Sequence, residues 1–257
     1  MLRSRLCVVT TQSAIDLPQL ENKSLETRNV TPELMDDPGL ERSEHLRALK
    51  ALGRINWLSR TARSLAREME HVLGPVPDRK IRVLDMACGS GDIILPLQRL
   101  LLRQSIEAEI DGCDASPVAI DFAAFQAEMS GSRAQFFLRN VLKDPLPEGY
   151  DLIISSLFLH HLRDAEIPAL LSKLANSAEL GFVISDLVRS RLGYWMAYLA
   201  SMAVTRSAIV RVDSLLSVRS ALTISEIDSY MFEAGLNAGS RVYRCFPCRF
   251  ISSWRRA

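Results

Sequence analysis

Three acids at the ends of apolar runs, a pair of alternate glycines and two adjacent histidines are the residues of this chain best suited to chemistry. Asp85 follows Ile81-Arg82-Val83-Leu84, and Ala87, Gly89 and Gly91 follow at alternate positions before a second apolar run, Ile93-Ile94-Leu95. Strand, acid, glycine turn and helix is the way an open α/β sheet turns backbone N–H groups toward a nucleoside ligand, with glycine where the chain bends sharply against it. Asp114 ends the next strand-like stretch, Ala108 to Cys113. An acid about 20 residues on, at the tip of the second strand, is placed to accept ribose hydroxyls. His160 and His161 follow a fourth apolar run, and Asp186 ends a fifth. An unperturbed imidazole titrates near pH ~6.5 and takes a proton from a hydroxyl at neutral pH. His160, nearer the strand tip, is the favoured general base; adjacent side chains diverge, so at most one of the two is expected to face a pocket.

These residues need a frame. Strands are expected at 81–85, 108–114, 134–138, 150–156 and 181–185, with helices between them and a closing hairpin at 242–244 and 249–251. Ser116-Pro117 reads as an N-cap with proline in the first turn. Thr223-Ile224-Ser225-Glu226 is a capping box, and Ile167, Leu170, Leu171 and Leu174 mark a helix that covers the sheet. Two helical patterns lie before the first strand, the second through Ala62, Leu65, Ala66, Met69 and Val72, stopped by Gly74-Pro75. Asp92 falls in the first turn of a helix, where acids are common, and is assigned a structural role.

A dinucleotide fingerprint requires a third small residue at position 94, which is Ile94, and a phosphate-binding loop requires Gly-Lys-Ser/Thr where Gly91-Asp92 stands. The run from Val83 to Gly91 instead resembles motif I of the class I S-adenosylmethionine-dependent methyltransferases, with Ala87 where the first glycine usually sits. Residues 81–186 follow that family's landmarks in order, and the chain is most similar to bacterial small-molecule enzymes of methyltransferase type 11/12. The resemblance implies a Rossmann-like α/β fold, a seven-stranded, mostly parallel sheet with an antiparallel last strand. It implies S-adenosylmethionine as cofactor, held by Asp85, Ala87, Gly89, Gly91, Asp114 with Ala115, and Asn140 with Val141, Asn140 meeting the adenine. Arg54 to Ser59 is similar to the N-terminal segment of quinone-biosynthesis methyltransferases, which adds Asn56 and Ser59 over the cofactor. The implied acceptor is small and apolar or aromatic, polyketide- or quinone-like, with His160, His161 and Asp186 as catalytic candidates.

The chain has 257 residues, 48% hydrophobic and 24% charged, enough for one large α/β domain. A formal net charge of +1, with no basic stripe interleaved with aromatics, excludes a nucleic-acid partner. No Asn-Pro-Pro-Tyr or Asp-Pro-Pro-Tyr follows the fourth strand, so base-amino methylation is unsupported. Five cysteines suit a reducing cytoplasm better than a disulfide framework. Cys245-Phe246-Pro247-Cys248 stands alone, without a second pair, and reads as a turn; no metal site is expected. Residues 1–30 read as a disordered extension to one domain over 31–257, and Leu6 to Val9 is too short for a signal-peptide core. Residues 44–74 and 187–222 are expected to form helices capping the strand ends. Leu192 to Val204 is uncharged but shorter than the ~20 residues that span a bilayer, so it reads as a lid for an apolar acceptor, with peripheral membrane contact the alternative. Other functions in play are a cofactor-binding or partner-regulating protein without catalysis, and a nicotinamide oxidoreductase, which Ile94 disfavours.

Overall fold

The alternation of apolar runs and helical patterns produces a doubly covered sheet. In the computed structural model, which describes residues 25–37, 39–75 and 79–256, seven strands are ordered β3-β2-β1-β4-β5-β7-β6. They are β1 (Ile81–Met86), β2 (Ala108–Asp114), β3 (Phe136–Leu138), β4 (Tyr150–Ser156), β5 (Ala178–Leu187), β6 (Ser240–Cys245) and β7 (Arg249–Arg255). β1 to β5 pair in parallel, and β7 runs antiparallel to both β5 and β6. The strand order reverses between β1 and β4, the switch point at which such sheets bind ligands outside the strands' carboxyl ends.

The helices are α1 (Arg42–Leu58), α2 (Thr61–Leu73), α3 (Ile94–Arg103), α4 (Pro117–Met129), α5 (Ile167–Ser177), α6 (Arg191–Val204), α7 (Ala208–Ser220) and α8 (Ile224–Glu233). Strand side chains alternate between two cores. Val83, Ile110, Leu152 and Val183 pack with Leu65 and Met69 of α2 and Leu97 and Leu101 of α3. Leu84, Ile153, Phe182 and Ile184 face the other way, onto Leu170, Leu171 and Leu174 of α5 and Ile227 and Met231 of α8. Caps sit where residue types demand them: Ser116 accepts the Ala119 N–H, and Thr223 and Glu226 form the reciprocal box.

One expectation changes in part. Residues 1–24 of the expected disordered extension lie outside the described residues, but 25–30 are anchored. Arg28, its side chain 5% exposed, donates to the carbonyls of Ser220, Leu159 and His160. The segment that follows is tied to α7, where Asp213 accepts the N–H groups of Leu34 and Met35. A charged residue can hold a polar segment in place when buried carbonyls take its donors. Arg54 to Leu58 completes the last turn of α1, and the link to α2 is Ser59-Arg60, with Arg60 left-handed at φ 54°.

The Cys245–Cys248 run is the turn between β6 and β7, and its two thiols are free. Among the described residues no helix is long and apolar enough to cross a membrane.

Candidate functional site

The carboxyl ends of β1, β2, β4 and β5 open into one cavity of about 1330 Å³ roofed by α1, α6, α7 and the segment before α1. Its walls include Asn56, Ser59, Ala87, Gly89, Asp114, Ala115, Asn140, Val141, His160 and His161. Asp85, Gly91 and Asp186 are not among its lining residues, and the two acids are buried.

At the β1 end, the turn is built around the two acids. Asp114 accepts the Gly89 N–H at 2.9 Å and the Ser116 N–H at 2.8 Å, locking the glycine turn to the tip of β2. Burial raises the Asp114 carboxyl above its ordinary value, against these two bonds. Gly89, at φ 53°, has open space where a Cβ would stand, with nothing nearer than a Leu49 methyl at 3.9 Å. Gly91 differs: a Cβ there would press the Phe136 ring at 3.0 Å, so its role is packing. Ala87 holds φ 56°, a left-handed conformation that disfavours any Cβ, which is the physical reason a glycine commonly occupies this position.

Asp85 is 2% exposed, and its Oδ2 has no hydrogen-bond partner. Burial, with Asp92 and Asp114 nearby, pushes its carboxyl well above the usual range. Asp92, assigned a purely structural role from sequence, lines the cavity instead. It accepts Asn56 Nδ2 at 3.2 Å and Ser90 Oγ at 3.1 Å, while Asn56 Oδ1 accepts Arg249 at 3.1 Å. Arg249 is buried at the start of β7, and its Nη1 is unpartnered. Nothing local marked Arg249, since only the antiparallel return of β7 beside β5 brings it here. Ser59 is spent within its own turn, on the Asn56 carbonyl and Thr61. Asn140 uses Oδ1 to accept the Leu142 N–H.

The other end of the cavity holds the histidines. The 3-10 turn at Leu159–His161 sets their rings 4.3 Å apart, and both line the cavity, contrary to the expectation that adjacent side chains diverge. In such a tight turn successive residues are rotated by roughly 120°, not the 180° of a strand. His160 Nδ1 lies 2.7 Å from Asp186 Oδ1, and its Nε2 is 3.4 Å from Glu33 Oε1. Burial alone would lower its pKa; the two carboxylates override this and raise it to about 10. Asp186 and Glu33 are both held below their ordinary values, burial opposing and His160 prevailing. His161 Nδ1 lies 3.0 Å from Asp36 Oδ2. Glu33, Asp36 and Asp213, all cavity-lining, were absent from the sequence assignment: Glu33 and Asp36 sit in a segment without periodicity or motif, and Asp213 is a single acid within α7.

The lining also includes apolar side chains: Leu49, Leu52 and Ile55 of α1, Met196, Ala197 and Ala200 of α6, and Val210 and Val218 of α7.

Residues 83–180 match the family described as a methyltransferase domain. A ubiquinone biosynthesis O-methyltransferase of Cereibacter sphaeroides is 32% identical over 93 residues, 35% of this chain and 34% of that protein. The match thus spans about a third of that relative's length. Among solved structures, the magnesium protoporphyrin IX methyltransferase of Synechocystis with bound S-adenosylmethionine superposes with a TM-score of 0.51 at 17% identity, covering 87% of this chain and 88% of that one. The plantazolicin methyltransferase in complex with S-adenosylhomocysteine gives 0.59 at 16%, over 86% and 90%. An O-methyltransferase from neocarzinostatin biosynthesis, in complex with S-adenosyl-L-homocysteine and 1,4-dihydroxy-2-naphthoic acid, gives 0.59 at 18%, over 87% and 61%. At these identities the structural likeness establishes the fold.

Proposed function

We propose that this chain, whose residues 83–180 match a methyltransferase domain, is a class I S-adenosylmethionine-dependent methyltransferase that methylates an oxygen of a small apolar or aromatic acceptor. The observation that carries this is that one cavity is lined by the β1 and β2 tips, by His160 and His161, and by apolar side chains of α1, α6 and α7.

The residues present fit the cofactor. Asp85 offers a buried carboxylate oxygen with no partner in the protein, the fixed polar group an ammonium or N–H donor would satisfy. Gly89 leaves a cradle that a side chain would fill. Asp114 faces the cavity with acceptor capacity left for a hydroxyl. Ala87, Ala115, Asn140 and Val141 would flank the nucleoside, and Asn56 and Asp92 lie across from the turn. When bound, S-adenosylmethionine supplies an electrophilic methyl group.

The protein aligns the acceptor and excludes water. The helices over 187–222 act as its lid, the inner face of α6 holding the apolar body of the acceptor. The imidazolium of His160, fixed through Nδ1 by Asp186, places positive charge where an acceptor oxygen gains negative charge. Because His160 keeps its own proton at neutral pH, the proton-accepting role passes to His161. Asp36 at Nδ1 fixes the tautomer that leaves Nε2 as the acceptor. The acceptor class is polyketide- or quinone-like, in an uncharged or phenolic form that the apolar walls tolerate, and the site of action is cytoplasmic.

The test is to incubate the purified chain with labelled S-adenosylmethionine and a panel of hydroxylated aromatics and quinols, identifying products by mass. Transfer to a hydroxyl, reduced at least about a hundredfold in His161→Gln, is expected for general-base catalysis. Cofactor binding without turnover of any acceptor would replace this proposal with a binding or regulatory role.

A further inference from the structure

Both histidines are held the same way. A carboxylate sits at each Nδ1, Asp186 on His160 at 2.7 Å and Asp36 on His161 at 3.0 Å. This is the arrangement that orients metal-binding imidazoles, with the second nitrogen left to bind. A third group converges on the same point. Glu33 is 8% exposed and takes a hydrogen bond from Ser217 Oγ, which fixes its carboxylate. One ligand atom from each of Glu33, His160 and His161 lies within 4.8 Å of the other two.

The spacing favours an ion over a direct contact. Glu33 Oε1 and His160 Nε2 are 3.4 Å apart, longer than the ~2.7–2.9 Å of a charge-assisted hydrogen bond. Two ligand atoms each ~2.0–2.2 Å from a shared cation sit roughly 3–3.6 Å apart. The geometry points to a divalent metal site formed by Glu33, His160 and His161 in the acceptor end of the cavity. Two imidazoles and one carboxylate suit zinc, iron, manganese or cobalt better than magnesium or calcium, which prefer oxygen alone. Three protein ligands leave coordination positions open on the cavity side.

This inference rests on the methyl-transfer proposal for its role and, with the ion bound, replaces the general-base step at His161 and the imidazolium at His160, because both rings then spend Nε2 on the cation. A cation there would draw an acceptor hydroxyl into coordination, lower its pKa and hold the resulting oxyanion. The imidazolium proton of His160 Nε2 leaves to solvent as the metal binds, and the hydroxyl proton of the coordinated acceptor leaves to water. The favoured acceptor then carries a second oxygen beside the reacting hydroxyl, so that both occupy open positions on the ion. The three ligands come from two places far apart in the chain, the segment before α1 and the turn after β4.

The experiment is a cobalt(II) titration of the full chain after chelator treatment, read by visible absorption and metal analysis. Binding of one ion per chain in the micromolar range, with absorption bands of a nitrogen- and oxygen-ligated cobalt, is expected. Glu33→Gln and His161→Gln should weaken it by more than tenfold, and Asp36→Asn by about tenfold, the scale of lost second-sphere support. Near-UV circular dichroism checks that each variant is folded. Asp36 is exposed and outside the ligand set, so its variant remains informative if Glu33→Gln unfolds. Absence of stoichiometric cobalt, or equal affinity in all three variants, overturns the site. S-adenosylhomocysteine binding is measured in parallel by calorimetry. Its retention without cobalt binding discards the metal alone, whereas its absence discards the methyl-transfer proposal.

Discussion

Asp186 holds His160 twice: Oδ1 lies 2.7 Å from Nδ1, and Oδ2 accepts the His160 backbone N–H at 3.1 Å. One buried carboxylate at the end of β5 therefore fixes both the ring and the peptide of the residue that follows β4. The pH behaviour of the fold follows from this pair. His160 is raised from an ordinary value of 6.5 to about 10, so its stabilising effect is full below pH 6.5 and is lost as pH rises toward 10. Asp186 and Glu33 are lowered, so theirs is present above their unfolded values and lost in acid. Unfolding in denaturant should show stability falling from about pH 6.5 to 10 in the wild type. That alkaline slope should flatten in His160→Gln. Asp186→Asn should cost about 3–5 kcal/mol, the penalty for breaking a buried pair. An unchanged slope in His160→Gln would exclude the ion pair.

Asp114→Ala should weaken S-adenosylhomocysteine binding by about 1.5–3 kcal/mol, the loss of a charged hydrogen-bond acceptor. It also frees the N–H groups of Gly89 and Ser116, so the glycine turn should exchange amide hydrogens faster. Calorimetry and hydrogen exchange check the two effects separately; intact affinity removes Asp114 from the ligand site.

Asp85→Asn should separate binding from stability. The native carboxyl is raised by burial and by Asp92 and Asp114, so it lowers stability as pH rises above its unfolded value. The amide should stabilise the free protein at neutral pH by about 1–3 kcal/mol, because folding no longer has to protonate or bury an unpartnered carboxylate there. The same change should weaken cofactor binding and abolish its increase with pH. Thermal unfolding and titrations at two pH values test both; a variant that binds normally would show that Asp85 is a structural acid.

Ala87→Gly should raise stability by up to about 1 kcal/mol. Glycine relieves a left-handed cost of ~1–2 kcal/mol and gives back ~0.4–1 kcal/mol in unfolded-chain entropy. Chemical denaturation measures the difference, and a clear loss of stability would mean the φ of 56° at this residue is not strained.

Ala200→Phe on the inner face of α6 should raise KM for the acceptor without altering cofactor affinity, because Ala200 lines the cavity from α6 rather than from the β1 turn. A changed cofactor Kd with an unchanged acceptor KM would place the acceptor elsewhere.

The strand tips were legible in the sequence because their signals are local. Val83-Leu84-Asp85 and the alternate glycines, the spacing from Gly91 to Asp114, and the Ser116-Pro117 and Thr223–Glu226 caps each fix backbone conformation within a few residues. They determined the sheet, its helices and the glycine turn. Ala87 was read as a small departure from a motif, and only the backbone showed the left-handed angle it carries. The acceptor end was not legible. Glu33 and Asp36 lie in a segment with no periodicity, and Arg249 in a strand that looks ordinary. Asp92 follows the glycine turn like any first-turn acid. Their roles depend on contacts between residues far apart in the chain, such as Ser217 with Glu33, Asp36 with His161 and Arg249 with Asn56. Hydrophobic burial drew α7 over the sheet and carried the Arg28–Asp36 segment with it. Burial of charge then required each carboxylate and imidazole to find a partner, and no pattern along the chain records which partner that is.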